Sequence, residues 1–492
     1  MYKIDWEKYL SYERDRKPNS KTGHQHEAGD ADMRSEYDSD FGRVIFCTAA
    51  RRMHDKTQVF PLTSGDSVHT RLTHSLEVMN IAVSLGSSLC RNEDFISTYG
   101  EKESFELEQK LCAILKTAAF VHDIGNPPFG HYGEDTIQKY FDGLNLCSNR
   151  KDWGAEELAF CEAHRADFTQ YDGNAEGFRI LTKGQYLGDL HGLNLTFAAL
   201  GAYLKYPNEG DKDKGGYVGK HKHGIFATEH DVFQKVVKAC NMQKSDGKIM
   251  RHPLSFLVEA ADSICYTAMD LEDGINAGKI TLEQIYQWVD NFINHAVNHD
   301  VFSQDMLVED GKFSLKKLLK LKDVPYKKKN DVNFRVALIG YFVNHTLNTF
   351  IKNLQEIDAG IYNKELLEDD SLMVYEALKK YESEKLFTDK SIVSAELTGR
   401  SVLNGLLDIV LEKVLIVDPE KDDRIYRMMS DSGLKLVHHE CGLYDPDNDS
   451  EFKLRIKEIP LYNRLRLVVD WISGMTDKYA LETYQKLSGI KL

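Results

Sequence analysis

The strongest chemical signal in the chain is FVHDIGNPPFGHYGED, Phe120 to Asp135, where an apolar stretch ends on the adjacent pair His122-Asp123. Neighbouring residues on a helix point about 100° apart, so both can reach one ion only if it sits at the helix terminus. Gly125 and the pair Pro127-Pro128 then stop the helix and predict a rigid loop. A lone His-Asp dipeptide is ordinarily structural. Two further residues change that reading: His74 lies in RLTHSLEV on a preceding amphipathic segment, and Asp262 interrupts the apolar run FLVEAADSICYTAMDLED. A buried carboxylate without a cation or hydrogen-bond partners is too costly to keep. Two imidazoles and two carboxylates make a borderline-hard donor set suited to Mn²⁺ or Mg²⁺ first, and also to Fe²⁺, Co²⁺ or Ni²⁺, with positions open for water and phosphate oxygen. No cysteine joins the set, which disfavours a structural zinc site.

Spacing adds further groups. Arg71 precedes His74 by about one helical turn, which puts a guanidinium on the same face, able to grip a phosphate in bidentate fashion. Asp262, Tyr266 and Asp270 recur every four residues and form one stripe on a single helix. His131 and Glu134 share a face if a helix starts near His131; a carboxylate on an imidazole orients it for proton transfer.

The elements that must position these groups are helical. Thr70 to Leu89, Glu106 to His122, Leu193 to Leu204, Asp231 to Cys240, Leu254 to Leu271, Leu282 to His295 and Val332 to Leu354 carry apolar residues at helical spacing, and strand-like alternation is scarce. Breaks at 17–32, 207–224, 243–248 and 445–450 predict surface loops, with 207–224 the best candidate for disorder. With 492 residues, 42% hydrophobic, and only 10 prolines, the chain predicts one large domain with insertions rather than linked modules. The net charge of −15 argues against a surface devoted to nucleic acid. The eight scattered cysteines form no CxxC pair and read as buried free thiols. A charged N-terminus without an apolar core region, and no long apolar span, make the cytoplasm the expected location, with no membrane partner.

The order His, His-Asp, Asp is the signature of the HD superfamily. RVIFCTAARRMHDKTQVFPL, TRLTHSLEV, HDIGNPPFGHYGE, DGNAEGFRIL, GLNLTFAALGAYLKYP, ADSICYTAMDLED and ISGMTD resemble, in order and over nearly the whole chain, the deoxyguanosinetriphosphate triphosphohydrolase (dGTPase) branch. The resemblance implies an all-α HD fold: an N-terminal arm over 1–42, a catalytic core over 43–280, and a helical C-terminal region over 281–492 that completes the core. It also implies a metal-dependent hydrolase that splits a deoxynucleoside triphosphate, dGTP above all, into deoxynucleoside and inorganic triphosphate. A homo-oligomer, tetramer or hexamer, and single-stranded DNA as a regulator are implied partners. The alternatives are another HD phosphohydrolase, such as a nucleotidase or phosphodiesterase, or a single-stranded nucleic-acid-binding protein with a regulatory HD site.

Carried over motif by motif, the resemblance assigns Arg52, Arg71, Lys205 and Tyr206 to the triphosphate. Tyr266 falls against the sugar and Asp270 on the 3′-hydroxyl. Gln58, Val59 and Asn174 resemble positions lining sugar and base, and Phe387 and Glu396 match residues that approach the base. Two positions depart from the pattern: His69 stands where the family often has Arg, which puts one phosphate contact in question, and Asn126 stands where many members have a second His.

Overall fold

The computed structural model describes residues 1–16, 34–58, 62, 69–144, 154–185, 188–210, 212–213, 215–308, 310–322, 327–415, 422–444 and 456–490. Among them the regular structure is helical, with only isolated bridges such as Thr57 to Thr70 in place of strands. The helices that frame the site are α1 (Arg71–Cys90), α2 (Glu101–Val121), α3 (Gly130–Gly143), α4 (Gly173–Arg179), α5 (Pro253–Asn276), α6 (Leu282–Ala296), α7 (Lys327–Lys352), α8 (Val374–Tyr381), α9 (Lys390–Leu415), α10 (Leu461–Ser473) and α11 (Asp477–Leu487).

Their ends follow local chemistry. Thr70 caps α1 by accepting the Thr73 N–H while Thr73 Oγ1 accepts the Thr70 N–H in return. His252 caps α5: its Nδ1 accepts the Leu254 N–H at 3.1 Å, its Nε2 donates to the Tyr9 carbonyl at 3.0 Å, and Pro253 takes the first helical position. The run from Leu193 is helical only over Phe197–Tyr203. Asn194 has φ of 49°, and its carbonyl accepts from Arg14, so the apolar residues before Thr196 are buried as an irregular segment instead.

Three apolar clusters result. The largest packs Val78, Ala82 and Leu85 of α1 on Leu111, Leu115 and Ala118 of α2, and both on Leu257, Ala261 and Cys265 of α5. Trp6, Tyr9 and Leu10 are buried in it, so the described part of the N-terminal arm belongs to the core. A second cluster joins Phe129 and Ile137 to Val402 and Leu406 of α9 and to Leu465, Val468 and Ile472 of α10. The third packs α6, α7 and α8 together. Buried ions tie the first two: Arg179 pairs with Glu229, Glu440 and Asp470, and Arg466 pairs with Glu176 and Asp470.

The described residues of the 207–224 segment, expected to be disordered, are folded. The Gly224 N–H donates to the Asn208 carbonyl, the Asn208 amide donates to the carbonyls of Gly210 and Lys222, and His223 is buried with Nε2 2.9 Å from Asp167. The described cysteines are free and mostly buried, as expected; Cys147 lies outside the described residues. No helix among the described residues is long and apolar enough to cross a membrane.

Candidate active site

The end of α2 brings the predicted ligands together. His122 follows its last residue, and its Nδ1 donates to the Ala119 carbonyl at 2.7 Å, which fixes the tautomer and turns the Nε2 lone pair inward. Asp123 starts the turn that Asn126 closes, so the two neighbours point into one space. Ligand atoms of His74, His122 and Asp123 all lie within 4.8 Å of one another. Asp262 stands outside that trio yet reaches both imidazoles: its Oδ1 is 3.0 Å from His74 Nε2 and 3.3 Å from His122 Nε2.

These four residues fit a divalent ion. His122 Nε2 is buried without a well-aligned hydrogen bond, and oxygen and nitrogen donors converge from three separate elements. Without a cation, burial pushes the His122 imidazole toward neutrality, but Asp123 and Asp262 outweigh it and hold it at about 9. Asp123 is oriented by Arg71 and by the Asn126 amide, whose Nδ2 donates at 2.6 Å. Asn126 therefore holds Asp123 and is not itself among the four converging residues.

The loop that follows is held tightly. A Cβ on Gly125 would collide with the backbone of Gly173 and Gly177, so only glycine lets the loop rest on α4. Phe129 adopts φ of 63° with its N–H donating to Asp477 Oδ1 at 2.9 Å; Gly130, at φ of 57°, leaves the space that the Arg71 guanidinium fills. Lys56 is wholly buried beneath, donating to the Asn126 carbonyl at 2.6 Å and the Ser473 carbonyl at 2.8 Å. Burial and the nearby Arg71 charge bring its ammonium down to about 7.

On the other side of the loop α3 starts at Gly130, and His131 Nδ1 lies 2.7 Å from Glu134 Oε2. Glu134 is buried while the His131 side chain is 70% exposed, so the imidazole is anchored at one nitrogen and open at the other. The second Glu134 oxygen accepts the Gly173 N–H at 2.7 Å. Burial works to raise this carboxyl, but Lys222, His131 and that N–H hold it well below the usual range. Lys222 comes from the 207–224 segment, also 3.1 Å from Asp172.

The remaining sites fall into two groups and one outlier. Lys205 and Tyr206 lie together, with the Lys205 and Lys222 ammonium groups 5.6 and 5.9 Å from the Tyr206 ring, and Lys205 balanced by Glu259 at 3.5 Å. Asn174 is beside them in the fold, its amide donating to Asp172 and its carbonyl accepting from Tyr203. On α5, Tyr266 faces Phe387 at 6.2 Å, and Asp270 is buried. Gln58 Oε1 is buried without a partner; Val59 lies outside the described residues. Glu396 is half-buried on α9, and burial raises its carboxyl. Arg52 is the outlier: it donates to the Gly474 carbonyl at 3.2 Å and lines a cavity of about 530 Å³ with Arg179, Asp470 and Trp471, to which the metal ligands do not contribute. His69 sits between Asp273, at 2.8 Å, and Glu77, at 3.3 Å, which hold its imidazole up at about 10. It keeps the cation of the usual Arg but commits it to α5 and α1.

Sequence reasoning missed Lys56, Lys222 and Asp477. Lys56 and Asp477 stand inside the DKTQ and GMTD segments, which carried a signal without a role; Lys222 had only its place in a Lys- and Gly-rich loop.

Residues 71–166 match the HD domain family, a span that carries His74, His122, Asp123, His131 and Glu134, and residues 435–486 match the phosphohydrolase-associated domain. The chain is 32% identical to the deoxyguanosinetriphosphate triphosphohydrolase-like protein of Listeria monocytogenes, over 99% of this chain and 100% of that one. It is also 32% identical to the protein of the same description from Synechocystis, over 99% and 100%. Against the deoxyguanosinetriphosphate triphosphohydrolase of Yersinia pestis it is 30% identical, over 99% of each. With the metal-binding group and the motif order both in place along the full length, the chain belongs to the deoxyguanosinetriphosphate triphosphohydrolase family of HD-domain phosphohydrolases.

Proposed function

We propose that the protein hydrolyses deoxynucleoside triphosphates, dGTP in preference, to deoxynucleoside and inorganic triphosphate. The observation that carries this reading is the convergence on one loop of three things: the His74, His122, Asp123 and Asp262 donor set, the Arg71 guanidinium and the His131–Glu134 pair. The four ligands would hold a divalent ion, Mn²⁺ or Mg²⁺ by their chemistry, which when bound would supply positive charge to offset that developing around a phosphorus under attack.

The chain's own residues supply the rest. Lys205, Tyr206 and Lys222 form a cationic and hydrogen-bonding end for the phosphates, and Arg71 orients Asp123 at the reacting end. Water adds to the α-phosphorus, and the bond from that phosphorus to the 5′-oxygen breaks. The departing oxygen needs one proton and the attacking water must lose one. His131 carries a proton between them, a reading supported by its hold on Glu134 at Nδ1 and its open Nε2. Tyr266 packed beneath C2′ leaves no room for a ribose hydroxyl, so GTP is excluded by a clash rather than by a missing contact.

The test is incubation with each of the four dNTPs and with GTP, in Mn²⁺ or Mg²⁺, with products resolved by chromatography. Deoxyguanosine and intact triphosphate are expected from dGTP, with GTP far slower. Release of orthophosphate or diphosphate, or equal rates for GTP and dGTP, would remove this reading.

A further inference from the structure

Two buried carboxyl groups at the sugar end each keep one oxygen without a partner. Asp270 is 2% exposed with no hydrogen bond at Oδ2, and Glu382 is 1% exposed with none at Oε1. A native fold keeps such orphans only for a reason. Glu382 is delivered by a local irregularity: α8 opens at its end into a π turn over Glu382–Leu386, the Phe387 N–H donating to the Glu382 carbonyl at 2.9 Å. Single π turns inside helices concentrate at functional sites. The same turn seats Leu386 at Gly274, where a Cβ would stand only 2.9 Å from its methyl, and sets Phe387 against Tyr266. One turn thus points an acid and an aromatic at the face of α5 that carries Tyr266 and Asp270.

The charged and titratable groups around the two acids are Tyr266, Asp273 and Asp262 on α5, Tyr375 and Lys379 on α8, and His69 from the segment before α1. His69 is already shared by Asp273 and Glu77, and Lys379 bonds Glu368. Each cation offsets its neighbouring acid only in part, His69 for Asp270 and Lys379 for Glu382, and two buried carboxylates that repel one another are disfavoured as a pair of charges. Burial, and the Asp270 charge in turn, push the Glu382 carboxyl well above its ordinary value; Asp270 is pushed the same way. One member accepts a hydrogen bond while the other, as the acid, donates one, which is the complement of a hydroxyl group.

Resting on the function proposed above, we infer that Glu382 is a specificity-determining residue that joins Asp270 in receiving the 3′-hydroxyl of the deoxyribose. The protein thereby selects nucleotides that retain that hydroxyl.

The experiment compares dGTP with 2′,3′-dideoxyGTP, which lacks it, in the wild type, Glu382→Ala and Glu382→Gln. Affinity is read by calorimetry on EDTA-treated protein, and KM and kcat are read with Mn²⁺. Glu382→Ala should weaken dGTP binding and raise its KM about tenfold, leaving 2′,3′-dideoxyGTP within about twofold, the size expected for one buried hydrogen bond. Glu382→Gln, still able to donate, should stay close to wild type. If the alanine variant does not fold, Glu382→Met, similar in volume and without a polar head, is judged by the same criteria. Equal losses for both nucleotides, or no change for either, overturn the inference. A protein that binds dGTP with the expected dependence on Glu382 but hydrolyses nothing defeats the proposed reaction alone. Hydrolysis indifferent to Glu382 defeats this inference alone, and failure to bind either nucleotide defeats both.

Discussion

At the scale of single residues, the metal ligands and the His131–Glu134 pair are separable. Removing Asp262 takes away an oxygen that reaches both imidazoles, so Asp262→Ala should lose bound metal and turnover together while circular dichroism stays helical. Elemental analysis of the purified variant checks this; metal content and turnover equal to wild type would refute the ligand assignment. The His131 ring hangs from Glu134, and no hydrogen bond or ion pair among the described residues joins it to the four proposed ligands. His131→Ala should therefore keep its metal and its affinity for dGTP and lose roughly 10² to 10⁴ in turnover, the usual worth of a positioned proton-transfer group. More than about a tenth of wild-type turnover would assign the proton to another carrier. The His122-Asp123 pair and the His131–Glu134 pair were visible in the sequence as short-range spacing, at a helix end and on a helix face, whereas His74 and Asp262 are remote from them in the chain and entered through the order of the motifs. Lys222 was not readable, since its place is set by ion pairs with Asp172 and Glu134, which are remote in sequence.

At the scale of elements, α5 carries the proposed ligand Asp262 together with Tyr266 and Asp270, and its start depends on one neutral ring. His252 is fully buried, and burial lowers its pKa from 6.5 to about 4, with the Tyr9 carbonyl opposing weakly. Protonation would place a hydrogen on Nδ1, the atom that accepts the Leu254 N–H, and so undo the cap. The unfolded chain takes up this proton near 6.5 and the folded chain only near 4. The stability it contributes is complete above pH 6.5 and is lost as the pH falls to about 4, amounting to about 3 kcal/mol. Chemical denaturation at pH 7 and pH 4.5 should show a smaller loss in His252→Asn, which can cap without a charge, than in wild type; equal losses would place the acid sensitivity elsewhere. Element positions themselves were largely legible. The period in Asp231 to Cys240 corresponds to a helix over His230–Ala239, and that in Leu282 to His295 to one over Leu282–Ala296. Legibility failed where tertiary contacts override local preference. Arg14 and Asp40 hold Asn194 and Thr196 out of the helix that their apolar neighbours suggest, and nothing in ESEKL distinguishes a π turn from an α turn.

At the scale of the whole molecule, the metal loop is braced by the region that follows α9. Asp477 accepts from the Thr57 N–H at 3.0 Å, from Thr57 Oγ1 at 2.6 Å and from the Phe129 N–H at 2.9 Å, and Lys56 bridges the loop to Ser473. Asp477→Ala would strand three donors in a buried place and should cost roughly 2 to 5 kcal/mol of stability. Metal binding should weaken about tenfold to a hundredfold with every ligand intact. Thermal melts and a metal titration, with Asp477→Asn as the milder comparison, test this; a variant stable and metal-replete like wild type would show the brace to be incidental. This brace also orders events in time. His74 is synthesised 403 residues before Asp477, and at about 5 to 20 residues per second the interval is roughly 20 to 80 s. Throughout it a growing chain has its first ligand but not the strut beneath the loop. Until residue 477 has been made, the Thr57 and Phe129 donors have no Asp477 to meet, so the braced form of the loop comes late in synthesis.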